Sequence, residues 1–241
     1  MEGKIQDRDL QFLVGMFDRV APSYDLLNHL LSLGVDFRWR HMAVESLGIR
    51  DGDLILDIAT GTGDLAFAAL KKGKCAVVGI DLSSVMLSLA DGKRKSKSHD
   101  GRYTLIRADA YDMPFRDHVF HHAMISYGVR NIHDWERLFS ETRRLLKRGG
   151  KIAILEFSIP ESTVFRLPYL FYLERLLPFI GGVVSGNREP YAYLRDTVKA
   201  FPPPREVVRR VKGQGFNVLE VRPLTFGICH LYVAESRGGK N

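Results

Sequence analysis

The sequence predicts an α/β fold with a mostly parallel sheet covered on both faces. Two observations carry this. From Leu54 onward, short apolar runs of strand length alternate with segments of helical period. Between the first such run and the first such helix lies a small-residue turn, Asp57-Ile58-Ala59-Thr60-Gly61-Thr62-Gly63-Asp64. It sits where a strand hands over to a helix, at the sheet edge that open α/β folds use for ligands.

Three helical stretches precede the sheet. Phe12, Leu13, Met16, Phe17 and Val20 recur at helical spacing, Ala21-Pro22-Ser23 breaks the pattern, Tyr24 to Leu33 resumes it, and Phe37 to Leu47 forms the third. Strands are predicted at Leu54–Ile58, Cys75–Ile80, Tyr103–Arg107, Ala123–Ser126 and Lys151–Phe157. The helices between them are Asp64–Lys72, Ser83–Ala90 with Ser83 as N-cap, and Asp134–Leu146 closed by Gly149-Gly150. The segment from Pro160 to Pro204, with seven prolines and many aromatics, reads as a mostly helical insertion. A helix over Arg205–Lys212 and strands over Phe216–Val221 and Gly227–Ala234 complete seven strands. The basic run Lys93 to Ser98 reads as a solvated loop.

Composition sets bounds. The 241 residues suit one domain, and 45% apolar content is ample for a core. The net charge of +7 suits an anionic partner, either nucleic acid or a membrane surface, or simply a solvated basic face. Cys75 and Cys229 form no C-x-x-C pair, so neither a metal site nor a redox motif is expected, and a reducing cytoplasm fits. The N-terminus lacks a signal-peptide pattern, and no apolar run is long enough to span a bilayer, so membrane contact would be peripheral.

The glycine turn departs from the dinucleotide fingerprint, because Ala66 stands where the third glycine would be. Acids at both ends, Asp57 and Asp64, would repel a pyrophosphate and welcome a sulfonium cation. The turn therefore favours S-adenosyl-L-methionine over NAD. Asp81, with Leu82 beside it, follows the second strand, 18 positions after Gly63, where an acid can accept both ribose hydroxyls. Asp109-Ala110 follows the third strand and could receive an adenine. Each residue has an ordinary structural role open to it, but three strand ends converging on one edge make a site.

Five stretches together resemble the C-methyltransferases of ubiquinone and menaquinone biosynthesis. They are Phe17 to Asn28 with Ser32-Leu33-Gly34 and Trp39-Arg40; the turn Asp57 to Asp64; Ser126-Tyr127-Gly128-Val129-Arg130-Asn131, with Tyr127 where the family's F-G-x-R-N motif has Phe; Leu155 to Pro160, matching L-E-F-S-x-P; and Tyr191-Ala192-Tyr193-Leu194 with Phe201-Pro202. The resemblance implies a Rossmann-like class I methyltransferase with a seven-stranded mostly parallel sheet, an N-terminal helical cap over 1–50 and a substrate-side helical insertion over 160–204. It implies C-methylation of a polyprenylated quinol, demethylmenaquinol foremost. The implied cofactor contacts are Thr62, Asp81, Asp109, Ala110 and Ser126, beside Asp57, Gly61, Gly63 and Leu82 of the turn and strand end.

An aromatic carbon attacks a methyl group only once its neighbouring hydroxyl is deprotonated, so a base or a phenolate-stabilising cation is required. Arg130 is the leading candidate for the cation and Asn131 for orienting the group, while the alternative is that Arg130 pairs with an acid such as Glu156. His133 could serve as base, although capping the next helix is the favoured reading. Tyr24, Asn28, Tyr127, Tyr191 and Tyr193 are candidate substrate contacts. The apolar residues of the insertion offer either a buried helix or a groove for the tail that touches a membrane. A nucleic-acid partner is not expected, since no flipped-base segment is present. A homodimer is left open. The competing functions are methylation of another small molecule, of RNA, or ligand binding without chemistry.

Overall fold

The structure, a computed structural model, describes residues 14–19, 21, 32, 34–97, 101–185 and 189–237. Tyr24, Asn28 and most of the second helical stretch of the cap lie outside them. Residues 14–19 are helical, as the spacing predicts.

The helices are α1 (Val35–Leu47), α2 (Asp64–Lys72), α3 (Ser84–Ser96), α4 (Trp135–Leu145), α5 (Thr163–Phe171), α6 (Leu177–Ser185), α7 (Glu189–Ala200) and α8 (Pro204–Gly213). The strands are β1 (Leu54–Ile58), β2 (Ala76–Asp81), β3 (Tyr103–Arg107), β4 (Phe120–Ser126), β5 (Leu146–Phe157), β6 (Phe216–Leu224) and β7 (Cys229–Ser236). They form one seven-stranded sheet in the order β3-β2-β1-β4-β5-β7-β6. The first five are parallel, and β7 runs antiparallel to both β5 and β6.

Alternation along each strand feeds two cores. Ile55, Val77, Met124 and Leu155 point to the face covered by α1 and α2, where they meet Trp39, Val44, Leu65 and Leu70. Leu56, Ile80, Ile125 and Ile154 point to the other face, against Leu138 and Phe139 of α4 and Val207 and Val211 of α8. Because both faces are covered, the central strands read as continuous apolar runs. Chain order reverses between β1 and β4, and the crevice at their carboxyl ends is the switch point where such sheets take ligands.

Three local readings change. Gly149 and Gly150 do not close α4: the backbone turns extended at Leu146, and both glycines lie within β5, which begins there rather than at Lys151. Lys93 to Ser96 continue α3 rather than forming a loop. Asp91 takes Arg94 and Lys95 as partners at 2.6 and 2.8 Å, one helical turn away, and Lys93 reaches Asp64 at 2.8 Å. The strand predicted from Ala123 begins at Phe120. The insertion is helical as expected. A π turn over Tyr172–Leu176 joins α5 to α6, and Tyr169, Leu173, Leu177, Tyr191 and Val198 form a small core of their own.

Candidate active site

A cavity of about 300 Å³ opens at the carboxyl ends of β1, β2, β3 and β4. Gly61, Asp81, Leu82, Asp109, Ala110, Ser126, Tyr127, Asn131 and His133 all line it. The structure thus brings together nine of the residues singled out in the sequence.

The turn after β1 explains why small residues are required. Ala59, Gly61 and Gly63 all have positive φ, at 52°, 56° and 86°. A Cβ on Gly63 would also stand 2.8 Å from the Tyr103 hydroxyl. Behind the turn, Thr60 donates to Asp57 Oδ2 at 2.5 Å. Its one proton is thereby committed, so the Tyr103 hydroxyl donates to Thr60 at 2.7 Å.

This corrects the charge argument. Asp57 is 1% exposed and faces the interior, where burial pushes its carboxyl up to about 7. Asp64 is turned toward Lys93 and lies 3.8 Å from Arg40. Neither acid lines the cavity, nor do Thr62 and Gly63. The negative charge a ligand meets comes from Asp81 and Asp109 instead.

Asp81 holds the turn and the next helix at once. Its Oδ2 accepts the Gly61 N–H at 2.8 Å and its Oδ1 the Ser83 N–H at 2.9 Å. Burial raises its pKa, and these donors oppose the rise. Ser83 caps α3 as predicted, accepting the Met86 N–H at 3.0 Å. Asp109 Oδ1 accepts the Tyr111 N–H at 2.9 Å, which fixes the loop after β3. Leu82, Met86, Ala108, Ala110 and Ile132 add apolar walls suited to a flat ring. Val14 and Phe17 of the first helix reach the same cavity.

At the other end, Tyr127 has φ 56° and stacks on Phe157, with centroids 4.5 Å apart. A bulky residue in this region is strained, and such strain gathers at functional sites. Asn131 Oδ1 accepts from the Tyr193 hydroxyl at 3.0 Å. Tyr193 thus reaches the site through Asn131, whereas Tyr191 is packed in the core of the insertion.

Arg130 does not line the cavity. Its Nη1 lies 2.6 Å from Glu156 Oε1, and its backbone N–H donates to Glu156 Oε2 at 3.1 Å. Both side chains are buried. The pairing alternative is the one present, and the ion pair shapes the Gly128–Asn131 turn. His133 is not a helix cap. Asp134 caps α4 by accepting the Arg137 N–H at 2.9 Å, and His133 is exposed at the cavity rim.

Sequence reasoning missed Val14, Phe17, Met86, Tyr111 and Ile132 as cavity residues. Phe17 belonged to a quoted signature, but the others carry no signal that separates them from core residues. Among the described residues no cluster suited to a metal ion occurs.

The lining fits S-adenosyl-L-methionine. It offers a carboxylate at the β2 end for sugar hydroxyls, a second at the β3 end beside a flat apolar slot, and a close-approach glycine turn. No lysine lines it, and Arg137, its one arginine among the described residues, sits at the Tyr111 end away from the turn. Fold and lining together define an S-adenosyl-L-methionine-dependent methyltransferase. A sequence model described as the ubiE/COQ5 methyltransferase family matches residues 5–235, and the chain belongs to that family.

Its relatives include a demethylmenaquinone methyltransferase of Thermus thermophilus, 41% identical over 221 residues, covering 91% of this chain and 99% of that one. A ubiquinone/menaquinone biosynthesis C-methyltransferase UbiE of Geobacter sp. is 45% identical over 221 residues, covering 90% and 93%. Among solved structures, the [4+2]-cyclase SpnF superposes with a TM-score of 0.71 at 16% identity, covering 94% of this chain and 96% of that one. A cyclase on this fold shows that the fold alone does not carry the activity.

Proposed function

We propose that the protein transfers a methyl group from S-adenosyl-L-methionine to a ring carbon of a polyprenylated quinol, with demethylmenaquinol as acceptor and menaquinol as product. The observation that carries this reading is the meeting of two cavities at one aromatic pair. Tyr127 lines the cofactor cavity, which carries the carboxylates of Asp81 and Asp109, and its stacking partner Phe157 lines a cavity of about 380 Å³ with no charged residue among its described lining. A ligand with a polar ring and an apolar tail suits that division. The relationship to the Thermus thermophilus enzyme supports the naphthalene nucleus.

The cofactor supplies an electrophilic methyl on a sulfonium. In this reading Asp81 accepts the ribose hydroxyls, Asp109 and Ala110 hold the adenine, and Gly61, Leu82 and Ser126 shape the remainder. Asn131, its carbonyl oxygen engaged by Tyr193, turns its amide donors to the acceptor's oxygen. His133 at the rim takes the hydroxyl proton. Arg130, held by Glu156, fixes the turn that carries Asn131 and adds positive potential for a developing phenolate.

No helix among the described residues is long and apolar enough to cross a membrane. A cytoplasmic enzyme in peripheral contact with the membrane fits exposed Val164, Leu167, Phe171 and Phe179 and the net charge of +7. Turnover with methyl-labelled cofactor, comparing demethylmenaquinol with a methoxy-benzoquinol, tests the acceptor. Transfer to the naphthoquinol is expected to dominate. Transfer to neither, by protein that binds the cofactor, overturns the reading.

A further inference from the structure

We infer that the apolar cavity between α1 and the helical insertion holds the ring-proximal isoprene units of the acceptor's tail. This rests on the acceptor reading above and gives it a second binding site.

The cavity is lined by Trp39, Phe157, Tyr169, Leu173, Leu177 and Val198, among others, and no charged side chain is among its described lining residues. One of its few polar atoms is committed, since Thr225 Oγ1 accepts from Trp39 Nε1 at 3.1 Å. A space so lined offers water few partners. A far smaller apolar cavity, of about 150 Å³, already stays dry and takes up a hydrocarbon ligand. At about 380 Å³ this one lies in the range of small-molecule sites, and its chemistry admits only an apolar occupant.

Position identifies that occupant. The inner wall is Phe157, whose stacking partner Tyr127 belongs to the cofactor cavity. A ring presented to the methyl donor beside Tyr127 lies one ring stack from this space, which is the adjoining apolar room for its tail. At the mouth stand Phe165, stacked on Phe226 with centroids 4.1 Å apart, and Pro168, all exposed. Val164, Leu167 and Phe171 extend the apolar surface outward. Tail beyond the cavity's capacity leaves by this route. Volume thus sets how many units are recognised, and tail length beyond that is tolerated.

Trp39 makes the test direct. It is one of two tryptophans, and the other, Trp135, packs with Phe139 and Phe201 on the opposite face of the sheet. In Trp135→Phe protein, emission reports on this cavity. Titration with geraniol, farnesol and geranylgeraniol is expected to give a saturable change. Affinity should rise about tenfold or more from geraniol to farnesol and then level off as the cavity fills. Leu194→Phe and Val198→Phe, each narrowing the cavity, are expected to weaken farnesol binding at least tenfold in protein that still binds cofactor. No saturable change, or unaltered farnesol binding in both narrowed variants, overturns the assignment. The readout needs no acceptor ring. Farnesol binding by protein that methylates no quinol would remove the acceptor reading and support the cavity, whereas normal quinol methylation without farnesol binding would remove the cavity assignment alone.

Discussion

The Ser83 hydroxyl donates to Asp18 Oδ1 at 2.5 Å while accepting the Met86 N–H at 3.0 Å. One side chain therefore caps α3 and ties down the helical segment that brings Val14 and Phe17 to the cofactor cavity. A hydrogen bond to a charged group is worth about 1.5–3 kcal/mol. Asp18→Ala should accordingly raise the cofactor's Kd about tenfold by calorimetry, with the thermal melt close to wild type. Ser83→Ala should lose the same affinity and also about 1 kcal/mol of stability, because the cap goes too. Unchanged affinity in Asp18→Ala would show that the segment is held by other means.

Asp57 makes stability depend on pH in an unusual direction. Its carboxyl titrates at about 7 in the folded protein, against about 3.9 in an unfolded chain. Between those values the native state holds a proton that the unfolded state has lost. The stabilisation is complete below about pH 4 and disappears as pH rises through about 7, amounting to at most about 4 kcal/mol. Asparagine keeps an acceptor for Thr60 and has no proton to lose. Urea melts at acid and alkaline pH should show the wild type losing a few kcal/mol more than Asp57→Asn as pH rises. The Asp81 charge helps raise Asp57, so the two carboxyls titrate as a pair and the difference between the curves contains their coupling as well as the burial of Asp57. Parallel stability curves for the two proteins would refute this account.

How much could be read in the sequence follows from what each residue's position depends on. Strand ends and the glycine turn are local, and Gly61, Asp81, Asp109 and Ser126 were found because a strand followed by a small or acidic residue places that residue at the sheet edge. Which way Asp57 and Asp64 point was not legible. The turn between them takes positive φ at Ala59, Gly61 and Gly63, and side-chain alternation does not carry through such a bend. The charges of the Lys93 to Ser98 run taken alone predict a loop, but the run continues α3 through Ser96. Its helix is stabilised by Asp91, one turn earlier. Arg130 lies in the turn that follows β4 and Glu156 near the end of the neighbouring parallel β5, 26 positions apart, so their contact is a product of sheet order. Met86 and Ile132 are apolar residues that any core could use.

That ion pair has a measurable signature. Glu156 also accepts the Phe157 N–H at 2.9 Å, so its carboxylate ties the Gly128–Asn131 turn to the end of β5, whose Phe157 lines the apolar cavity. Removing one partner of a buried pair leaves an uncompensated charge and costs about 3–5 kcal/mol. Glu156→Gln should be destabilised on that scale. Adding Arg130→Gln should recover much of the loss, since no charge is then stranded. Turnover should not recover with it if the guanidinium contributes potential to the reaction. Stability and kcat/KM measured through the full double-mutant cycle separate the two effects. Recovery of both together would reduce Arg130 to a structural role.

Tyr193 should act only through Asn131. Its hydroxyl donates to Asn131 Oδ1 at 3.0 Å, and it does not itself line the cofactor cavity. Without that bond the amide can rotate, and its donors no longer have a fixed direction. A loosely held group loses much of its effect on the reacting centre. Tyr193→Phe should lower kcat about tenfold while the cofactor's Kd stays unchanged. Asn131→Ala should cost more, and adding Tyr193→Phe to it should cost nothing further, because the residue being positioned is already absent. Methyl-transfer rates for the two single variants and the double variant decide the matter. Additive losses would mean that Tyr193 contacts the acceptor itself.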